Sequence, residues 1–439
     1  MSALGLLFLV TTVGLLFALP RRWAPLPLLI AAACVPRSQL IHIGAANLSL
    51  IRQLIFVGFL RAIVKGERIV GGFNLLDRLM VLLAVWMICS GVFHGLGLAM
   101  WRFGDAYTYL GCYFLFRIFL REPDDILRVV KMVCIVLLPI AVGMILEKMT
   151  GKNFIASLFG EAVEARLRDG HYRASGPYAN AILAGTVGAI WLPLMLHTWR
   201  RERKVALAGL AAVTAMIFAS GASGPILTAF AGLGAMAFWR FRRRLRALCW
   251  FAPILIIALD LVMKDPVYFL IARVNIIGGS TGWYRAILIQ GAIEHLNEWW
   301  LAGTDATSHW VPEGTSGVVG QADLANQYIG MGVAGGLLLV FIFVGVLIAA
   351  FAAVGKALQR SQDAPLNEQL FIWALGATLF AHAVTFWSVA YFEPSTVLFF
   401  YLALAATGAL HSTTPVSAPV GPSNELGSDD IPQPAVSHG

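Results

Sequence analysis

The stretch MGVAGGLLLVFIFVGVLIAAFAA, residues 331–353, decides the fold of this chain. It contains no charged or hydrogen-bonding side chain, and it is longer than the roughly 20 apolar residues that a helix needs to cross a membrane. A segment in lipid must satisfy its own backbone polar groups, so this stretch is predicted to be a membrane-spanning helix. Similar apolar runs recur on both sides of it.

The composition extends this prediction to the whole chain. Of 439 residues, 59% are hydrophobic and only 13% are charged, with a mean hydropathy of +0.76. Soluble proteins are closer to half apolar and a quarter charged. A water-soluble enzyme, a disordered chain and a coiled coil are therefore excluded. The five cysteines form no CxxC pair, so neither a disulfide framework nor a cysteine metal site is supported.

The predicted fold is an all-α, polytopic membrane bundle of about 12–13 transmembrane helices. Its domain covers residues 1–411, and residues 412–439, rich in Pro, Ser, Gly and Asp, are predicted to form a disordered cytoplasmic tail. The span at 24–35 is short, and the sequence leaves open whether it crosses the bilayer. The candidate spans are 3–19, 24–35, 49–64, 75–97, 105–121, 127–147, 178–198, 205–219, 222–239, 248–263, 326–353, 368–390 and 395–411.

The basic residues predict the orientation of the bundle. Thirteen spans place all six basic clusters on one face, which the positive-inside rule makes cytoplasmic. The net charge of +8 therefore reflects topology, and no nucleic-acid partner is expected. The clusters are Arg21–Arg22, Lys65 with Arg68, Arg121 with Arg128 and Lys131, Arg200–Lys204, Arg240–Arg246, and Lys356 with Arg360.

Two longer segments lie on the opposite face, at about 148–177 and 264–325. Loops of this length in a compact membrane protein usually carry function. The later segment contains a predicted helix at roughly 282–300, which ends in Glu298-Trp299-Trp300. Tryptophans anchor helices at the membrane interface, so this helix is expected to lie along the membrane surface.

The sequence contains no phosphate-binding P-loop, no HExxH and no GxSxG motif. No helix carries carboxylates in metal-ligand spacing, so no cofactor and no metal is expected. An enzyme with this sequence would depend on positioning, electrostatics and acid–base groups.

Arginines at the mouths of spans on the outer face are the main candidates for substrate binding. Guanidinium groups bind phosphate in a planar, bidentate fork, so Arg173 and Arg285 together are predicted to clamp two phosphates. Arg166, Arg168 and Lys152 are secondary candidates. The alternatives for the first outer segment are a snorkelling arginine or an ion pair with Glu161, Glu164 or Asp169. For Arg285 the alternative is a structural salt bridge to Glu294 or Asp265.

Two residues are candidates for a general base. Asp323 stands just before a late span, where a carboxylate could accept a proton, although it could also be a helix N-cap. His309 is the second candidate because histidine titrates near neutrality. Asn326, Gln327 and Tyr328, at the start of the same span, are predicted to contact substrate.

Several of these motifs resemble the bacterial O-antigen ligase and polymerase superfamily. Arg173-Ala-Ser-Gly-Pro-Tyr-Ala-Asn-Ala-Ile-Leu-Ala-Gly185 is similar to the entry of a middle span in that superfamily. Asp323-Leu-Ala-Asn-Gln-Tyr-Ile-Gly-Met-Gly-Val-Ala-Gly-Gly336 is similar to the start of its late span. Gly282-Trp-Tyr-Arg285 and Glu298-Trp-Trp-Leu-Ala-Gly-Thr304 resemble a subgroup from exopolysaccharide gene clusters.

The resemblance implies a metal-independent membrane glycosyltransferase of the GT-C type, in the bacterial inner membrane and acting on its periplasmic face. Its donor would be an oligosaccharide linked to undecaprenyl diphosphate, and its acceptor a glycan hydroxyl. Arginines would bind the diphosphate, which matches Arg173 and Arg285 by motif. The histidine that often precedes the late span in the family is absent here, so either Asp323 or His309 would take its role.

The resemblance favours polymerisation of exopolysaccharide or O-antigen repeat units, with ligation of glycan to lipid A–core as the alternative. A non-catalytic flippase for lipid-linked saccharides is a rival of another class, and a structural subunit of an export complex is a third. Chain-length or export proteins are further candidate partners, besides the lipid bilayer itself.

Overall fold

The computed structural model describes residues 1–43, 46–273, 282–312 and 322–410. The predicted tail at 412–439 lies outside the described residues. The helices are α1 Ala3–Ala18, α2 Pro25–Cys34, α3 Leu50–Val64, α4 Leu75–Val92, α5 Leu96–Phe119, α6 Pro123–Thr150, α7 Phe154–Leu158, α8 Ala181–Ala189, α9 Leu192–Thr198, α10 Arg203–Ser220, α11 Ser223–Ala237, α12 Leu245–Val262, α13 Leu270–Arg273, α14 Gly282–Glu294, α15 Leu296–Trp299, α16 Gln327–Arg360, α17 Leu366–Thr385 and α18 Pro394–Ala409. Short 3₁₀ turns occupy Arg21–Trp23, Phe238–Arg244, Val267–Phe269 and Ser308–Trp310.

Each of the predicted spans coincides with a helix, and the span at 178–198 is divided into α8 and α9. Within the described ranges, five helical stretches are long and apolar enough to cross a membrane. They are α4, α6, the α8–α9 stretch, α10 and α16. Helices α1 and α18 are apolar but shorter, with 16 residues each. For the remaining segments, crossing the membrane stays a prediction.

Helix α18 lies at the centre of the bundle. Every residue from Ser395 to Ala409 is buried, which explains why this helix is apolar on all of its faces. It packs against α5, which in turn packs along α4, while α6 pairs with α10 and α11 pairs with α17. These pairings leave α10 and α11 as neighbours of α8, and that junction forms the wall of the cavity described below.

Ion pairs at one end of the bundle join three of the six basic clusters that the sequence places on the cytoplasmic face. Arg21 Nη1 lies 2.8 Å from Asp125 Oδ2, and Arg201 Nη1 lies 3.6 Å from Asp124 Oδ1. Arg200 donates to the side chain of Asn367 at 3.4 Å. The ends of α6, α10 and α17 therefore meet at the same face, as the predicted alternation of spans requires.

Helix α16 is broken in the middle by two glycines. Gly335 and Gly336 leave the helical region of the Ramachandran plot, and Gly336 has φ of 73°. The released carbonyl groups find side-chain donors: Trp86 Nε1 lies 2.7 Å from the Gly335 oxygen, and Ser90 Oγ lies 3.0 Å from the Ala334 oxygen. Such compensation is what lets irregular backbone persist inside an apolar bundle.

The segment after α15 is inserted into this break, which corrects the prediction of one helix at 282–300. Helix α14 ends at Glu294, and α15 is a separate short turn. Trp299 is buried rather than at a lipid surface, whereas Trp300 is exposed. The Leu337 amide donates to the Trp300 carbonyl at 2.8 Å, so main-chain hydrogen bonds hold the inserted segment in place.

Two short hairpins add strands to an otherwise helical fold. Strands β1 (Leu40–Ile43) and β2 (Ala46–Ser49) form one, and β3 (Arg166–Arg168) and β4 (His171–Arg173) form the other. The second hairpin turns through Asp169 and Gly170, which both have positive φ, at 51° and 76°. Asp-Gly is a strong signal for a two-residue hairpin turn, so the sequence did contain the evidence for this element.

Candidate functional site

A cavity of about 710 Å³ brings the predicted arginines together. Among the described residues, four cationic side chains and one carboxylate line it, and the rest of its wall is mostly apolar. The charged and imidazole groups come from the end of α6, the β3–β4 hairpin and α14, while the apolar wall comes from α8 to α11. The charged and imidazole lining residues are Lys148, Arg168, Asp169, His171, Arg173 and Arg285, and the apolar ones include Ile182, Leu192, Ile217, Phe218, Ile226, Phe230 and Leu233.

Arg173 is anchored by one edge of its guanidinium group. Its Nε donates to the carbonyl oxygen of Ser220, 3.2 Å away, and the backbone amide of the next residue, Ala174, donates to the Ala219 carbonyl. These carbonyls belong to the last turn of α10, where the helix dipole favours a cation. Among the described residues, nothing accepts a hydrogen bond from the two Nη groups, which remain available to a ligand.

Arg285 is held in the same manner from another helix. It is only 9% exposed, and its Nε donates to the carbonyl oxygen of Ser388 at 2.8 Å, just beyond the end of α17. No acceptor for its Nη groups occurs in the part of the chain that the structure describes. Both arginines therefore expose the same edge, which is the edge that makes bidentate contacts with phosphate.

The two arginines lie in a common electrostatic field. Burial lowers the pKa of Arg173, and the positive charges of Arg168 and Arg166 lower it further. Burial also lowers the pKa of Arg285, which Asp323 raises and Arg173 and Arg168 lower. The cavity thus concentrates positive charge that its lining carboxylate, Asp169, does not neutralise. A bound anion would reduce the repulsion between these cations.

A buried carboxylate fixes the turn that follows Arg173. Glu147, near the end of α6, has no exposed surface and accepts hydrogen bonds from the amides of Ser175 and Gly176, at 2.9 and 2.8 Å. Gly176 has φ of 58°, a conformation that glycine adopts at no steric cost. Glu147 is thereby a positioning residue for the Arg173 segment.

The secondary basic candidates separate into two groups. Arg168 lines the cavity, and its Nε lies 3.9 Å from Asp169. Arg166 is opposite Arg173 in the hairpin, but it is exposed and does not line the cavity. Lys152 is also exposed and is bridged through its backbone to Glu164. The structure therefore brings Arg168 to the site and leaves Arg166 and Lys152 outside its lining.

The predicted ion-pair alternatives are not what holds the two main arginines. Asp265 lies 3.9 Å from Arg273, and Glu294 accepts from Gln290 at 2.8 Å, so neither pairs with Arg285. Glu161 accepts from the side chain of Gln39 at 2.8 Å, on the β1–β2 side of the protein.

Asp323 lies beside Arg285 but is not a helix cap. Its carboxylate is exposed, and its charge raises the pKa of Arg285. The hydroxyl of Tyr284 donates to the Asp323 carbonyl oxygen at 3.1 Å, which ties the segment to α14. Burial and the Asp323 charge raise the pKa of Tyr284 to about 12. No described side chain hydrogen-bonds the Asp323 carboxylate, and Asp323 is not among the residues that line the cavity.

The polar residues that open α16 serve the fold. Asn326 is the N-cap, and its side-chain oxygen accepts from the amides of Tyr328 and Ile329 at 2.9 and 3.1 Å. The side chain of Gln327 accepts from the Tyr391 amide at 2.6 Å, and the Tyr328 hydroxyl donates to the Ala383 carbonyl at 3.0 Å. These contacts face α17 and its following loop, and none of the three residues lines the cavity.

His309 lies away from the arginines. Its Nε2 is 2.8 Å from Glu298 Oε2, and its ring lies against that of His295. His295 follows the last residue of α14, whereas Arg285 is in the first turn, and about 14 Å of helix axis separates Arg285 from that end. Of the two predicted bases, Asp323 is therefore the one next to an arginine of the cavity.

The turn between α10 and α11 has a role in the site that was not predicted from the sequence. Ser220-Gly-Ala-Ser-Gly224 supplies the carbonyl for Arg173 and part of the cavity wall. Gly221 has φ of 53°, and a β-carbon there would lie 3.4 Å from Arg173 Cγ. Small residues concentrated between two apolar runs were the available signal. Lys148 and His171, which also line the cavity, sit beside the predicted arginines.

The sequence matches no family model, and no curated protein shows detectable similarity to it.

Proposed function

We propose that this protein is an inner-membrane glycosyltransferase that uses an oligosaccharide on undecaprenyl diphosphate as its donor. It transfers the glycan to an acceptor sugar hydroxyl at the periplasmic face, and its product is a polymer of exopolysaccharide or O-antigen repeat units. One observation carries this proposal: two arginines line one cavity with an apolar wall, each is anchored through Nε, and among the described residues nothing accepts from their Nη groups.

The shape of the cavity suits an amphipathic donor. Phe218 on α10 and Phe230 on α11 line it and are 65% and 64% exposed. Apolar side chains exposed on membrane helices contact lipid, so the cavity is accessible from the bilayer side. A polyprenyl tail would lie along this apolar wall while its diphosphate reaches the arginines, because each part then meets groups of its own polarity.

The chemistry follows from the positions of the charged groups. The acceptor hydroxyl oxygen forms a bond to the anomeric carbon of the donor sugar, and the bond between that carbon and the diphosphate oxygen breaks. The diphosphate leaves with the electron pair, and the fixed guanidinium groups stabilise its growing charge. Asp323, beside Arg285, accepts the proton of the hydroxyl as general base.

The test is carried out in a deletion strain of the native bacterium. The strain is complemented with the wild-type chain, Arg173→Ala, Arg285→Ala, or Arg273→Ala, an exposed control arginine in the same outer segment. Surface glycan, lipopolysaccharide and undecaprenyl-linked saccharides are then extracted and sized, and membrane levels of each variant are measured.

We expect Arg173→Ala and Arg285→Ala to accumulate single repeat units on the lipid carrier at normal protein level, while Arg273→Ala behaves as the wild type. Full-length polymer stranded on the carrier, with bare lipid A–core, would assign ligation instead of polymerisation. Saccharides trapped on the cytoplasmic face would assign a flippase. Near-normal polymer from both arginine variants would exclude the diphosphate clamp.

A further inference from the structure

We propose that His295, Glu298 and His309 bind a divalent transition-metal ion, with Zn²⁺ as the best match. The three residues meet at the far end of α14 from Arg285. One ligand atom from each of them lies within 4.8 Å of the others. The proposal concerns a second site on the same outer segment, and it does not depend on the glycosyltransferase assignment.

The distances are close to those of a zinc site. The tightest pair, His309 Nε2 and Glu298 Oε2, is 2.8 Å apart. Zinc bonds of about 2.0–2.1 Å in tetrahedral geometry place ligand atoms about 3.3 Å from each other. Small rotations of these side chains, two of which are exposed, would therefore centre an ion between the three ligand atoms.

The surrounding contacts orient the ligands as they do in known metal sites. His295 Nδ1 lies 2.9 Å from the Gly291 carbonyl oxygen, so Nδ1 carries the proton and Nε2 keeps its lone pair. Metal-binding histidines commonly donate their second ring N–H to a carbonyl or carboxylate in this way. Glu298 is oriented in turn by Trp310, whose Nε1 donates to Oε2 at 3.1 Å.

A simple ion pair does not account for the whole cluster. Glu298 engages His309, but the ring centroid of His295 lies only 4.8 Å from that of His309. Within the described residues, no acceptor or donor engages His295 Nε2. Two imidazole nitrogens and one carboxylate suit Zn²⁺ rather than Mg²⁺ or Ca²⁺, which prefer oxygen ligands. Three protein ligands also leave a position open for water or another ligand.

The ion would fasten the outer segment to the bundle. Glu298 and Trp299 both belong to α15. The Trp299 ring packs directly against Gly332 of α16, in the space that a β-carbon on Gly332 would occupy. His309 belongs to the 3₁₀ turn at Ser308–Trp310. A metal ion would thus join α15 and this turn, and it would hold both beside the break in α16.

The test uses the full chain purified in detergent through a tag without histidine and treated with a chelator. Zn²⁺ is titrated by calorimetry, and Co²⁺ is added separately because its visible absorption reports four-coordinate geometry. The variants are His295→Ala, His309→Ala and Glu298→Gln, with Glu294→Gln as the matched control carboxylate one residue before His295. Thermal unfolding of each metal-free variant shows whether it folds.

We expect one Zn²⁺ per wild-type chain, an intense Co²⁺ band, and affinity at least about tenfold weaker in each ligand variant. Glu294→Gln should bind like the wild type. The proposal is overturned if the wild type binds no Zn²⁺ in the micromolar range, or if His295→Ala binds it unchanged. If a variant fails to fold, the Co²⁺ spectrum of the wild type still tests the proposal. A weak spectrum typical of octahedral Co²⁺ would overturn the proposed four-coordinate site.

Discussion

The carboxylate of Glu147 accepts a hydrogen bond from the backbone amide of Gly176, 2.8 Å away, and neither group reaches solvent. Its other oxygen accepts from the amide of Ser175. One buried side chain thus determines the path of the backbone between Arg173 and the start of α8. The arginine is placed by this carboxylate as well as by its own contact with Ser220.

We expect Glu147→Gln to lower polymer production by at least tenfold while Arg173 itself is unchanged. The glutamine side chain offers one acceptor oxygen, and its NH₂ group would oppose a backbone N–H. Leaving a buried donor unsatisfied costs about 1–3 kcal/mol, so the unfolding temperature should fall as well. Glycan sizing and thermal unfolding measure the two effects. Glu164→Gln, an exposed acid in the same segment, is the control, and an equal loss in both variants would contradict the positioning role.

The choice of general base is testable with two substitutions. Asp323→Asn should reduce the transfer rate by about 10²–10⁴-fold, because it removes the proton acceptor but keeps the side-chain shape. His309→Gln should reduce it far less, since His309 lies with Glu298 at the other end of α14. Transfer rates in proteoliposomes with lipid-linked donor measure both. The reverse order of effects would assign the base to His309.

A ligand diphosphate should stabilise the protein through the two arginines. Burial and neighbouring cations lower the pKa of Arg173 and of Arg285, which means that the protein disfavours their charged forms. A bound anion removes that penalty. Ligand at 100 times its Kd stabilises the folded state by about 2.7 kcal/mol.

Undecaprenyl diphosphate should therefore raise the unfolding temperature of the wild type by a few degrees. The double variant Arg173→Ala/Arg285→Ala should show no such increase. Differential scanning fluorimetry in detergent measures the shift, with undecaprenol as the uncharged control. An equal shift with undecaprenol would show that only the lipid tail is recognised.

The break in α16 should not tolerate a side chain. Gly336 has positive φ, and a β-carbon there would lie 2.4 Å from the Leu301 carbonyl oxygen. Gly336→Ala is expected to destabilise the protein by more than about 1 kcal/mol, because both the backbone conformation and the contact are unfavourable. A β-carbon on Gly330 would have no atom outside its own stretch of helix backbone within 4 Å, so Gly330→Ala should be neutral or slightly stabilising. Similar unfolding temperatures for the two variants would contradict the close packing of the segment after α15 into the break in α16.

Several features of the site were predictable from short stretches of sequence, and others were not. Arg173 and Arg285 stood out because cations are unusual on the face opposite the basic clusters. Asn326 was predicted to bind substrate, yet its side chain caps α16, since a polar residue before an apolar run suits either role. The helix at 282–300 was predicted as continuous because its apolar pattern does not show that α14 ends at Glu294.

The sequence by itself determined the helices, because a long apolar run has few alternatives to a helix once water is excluded. It also predicted that basic clusters gather at one end, and ion pairs join three of them there. Only the tertiary structure decided that Arg173 and Arg285 share one cavity, that Ser220 and Ser388 anchor them, and that His309 joins Glu298. These relationships join residues far apart in the chain, and they depend on how helices pack, which no local pattern encodes.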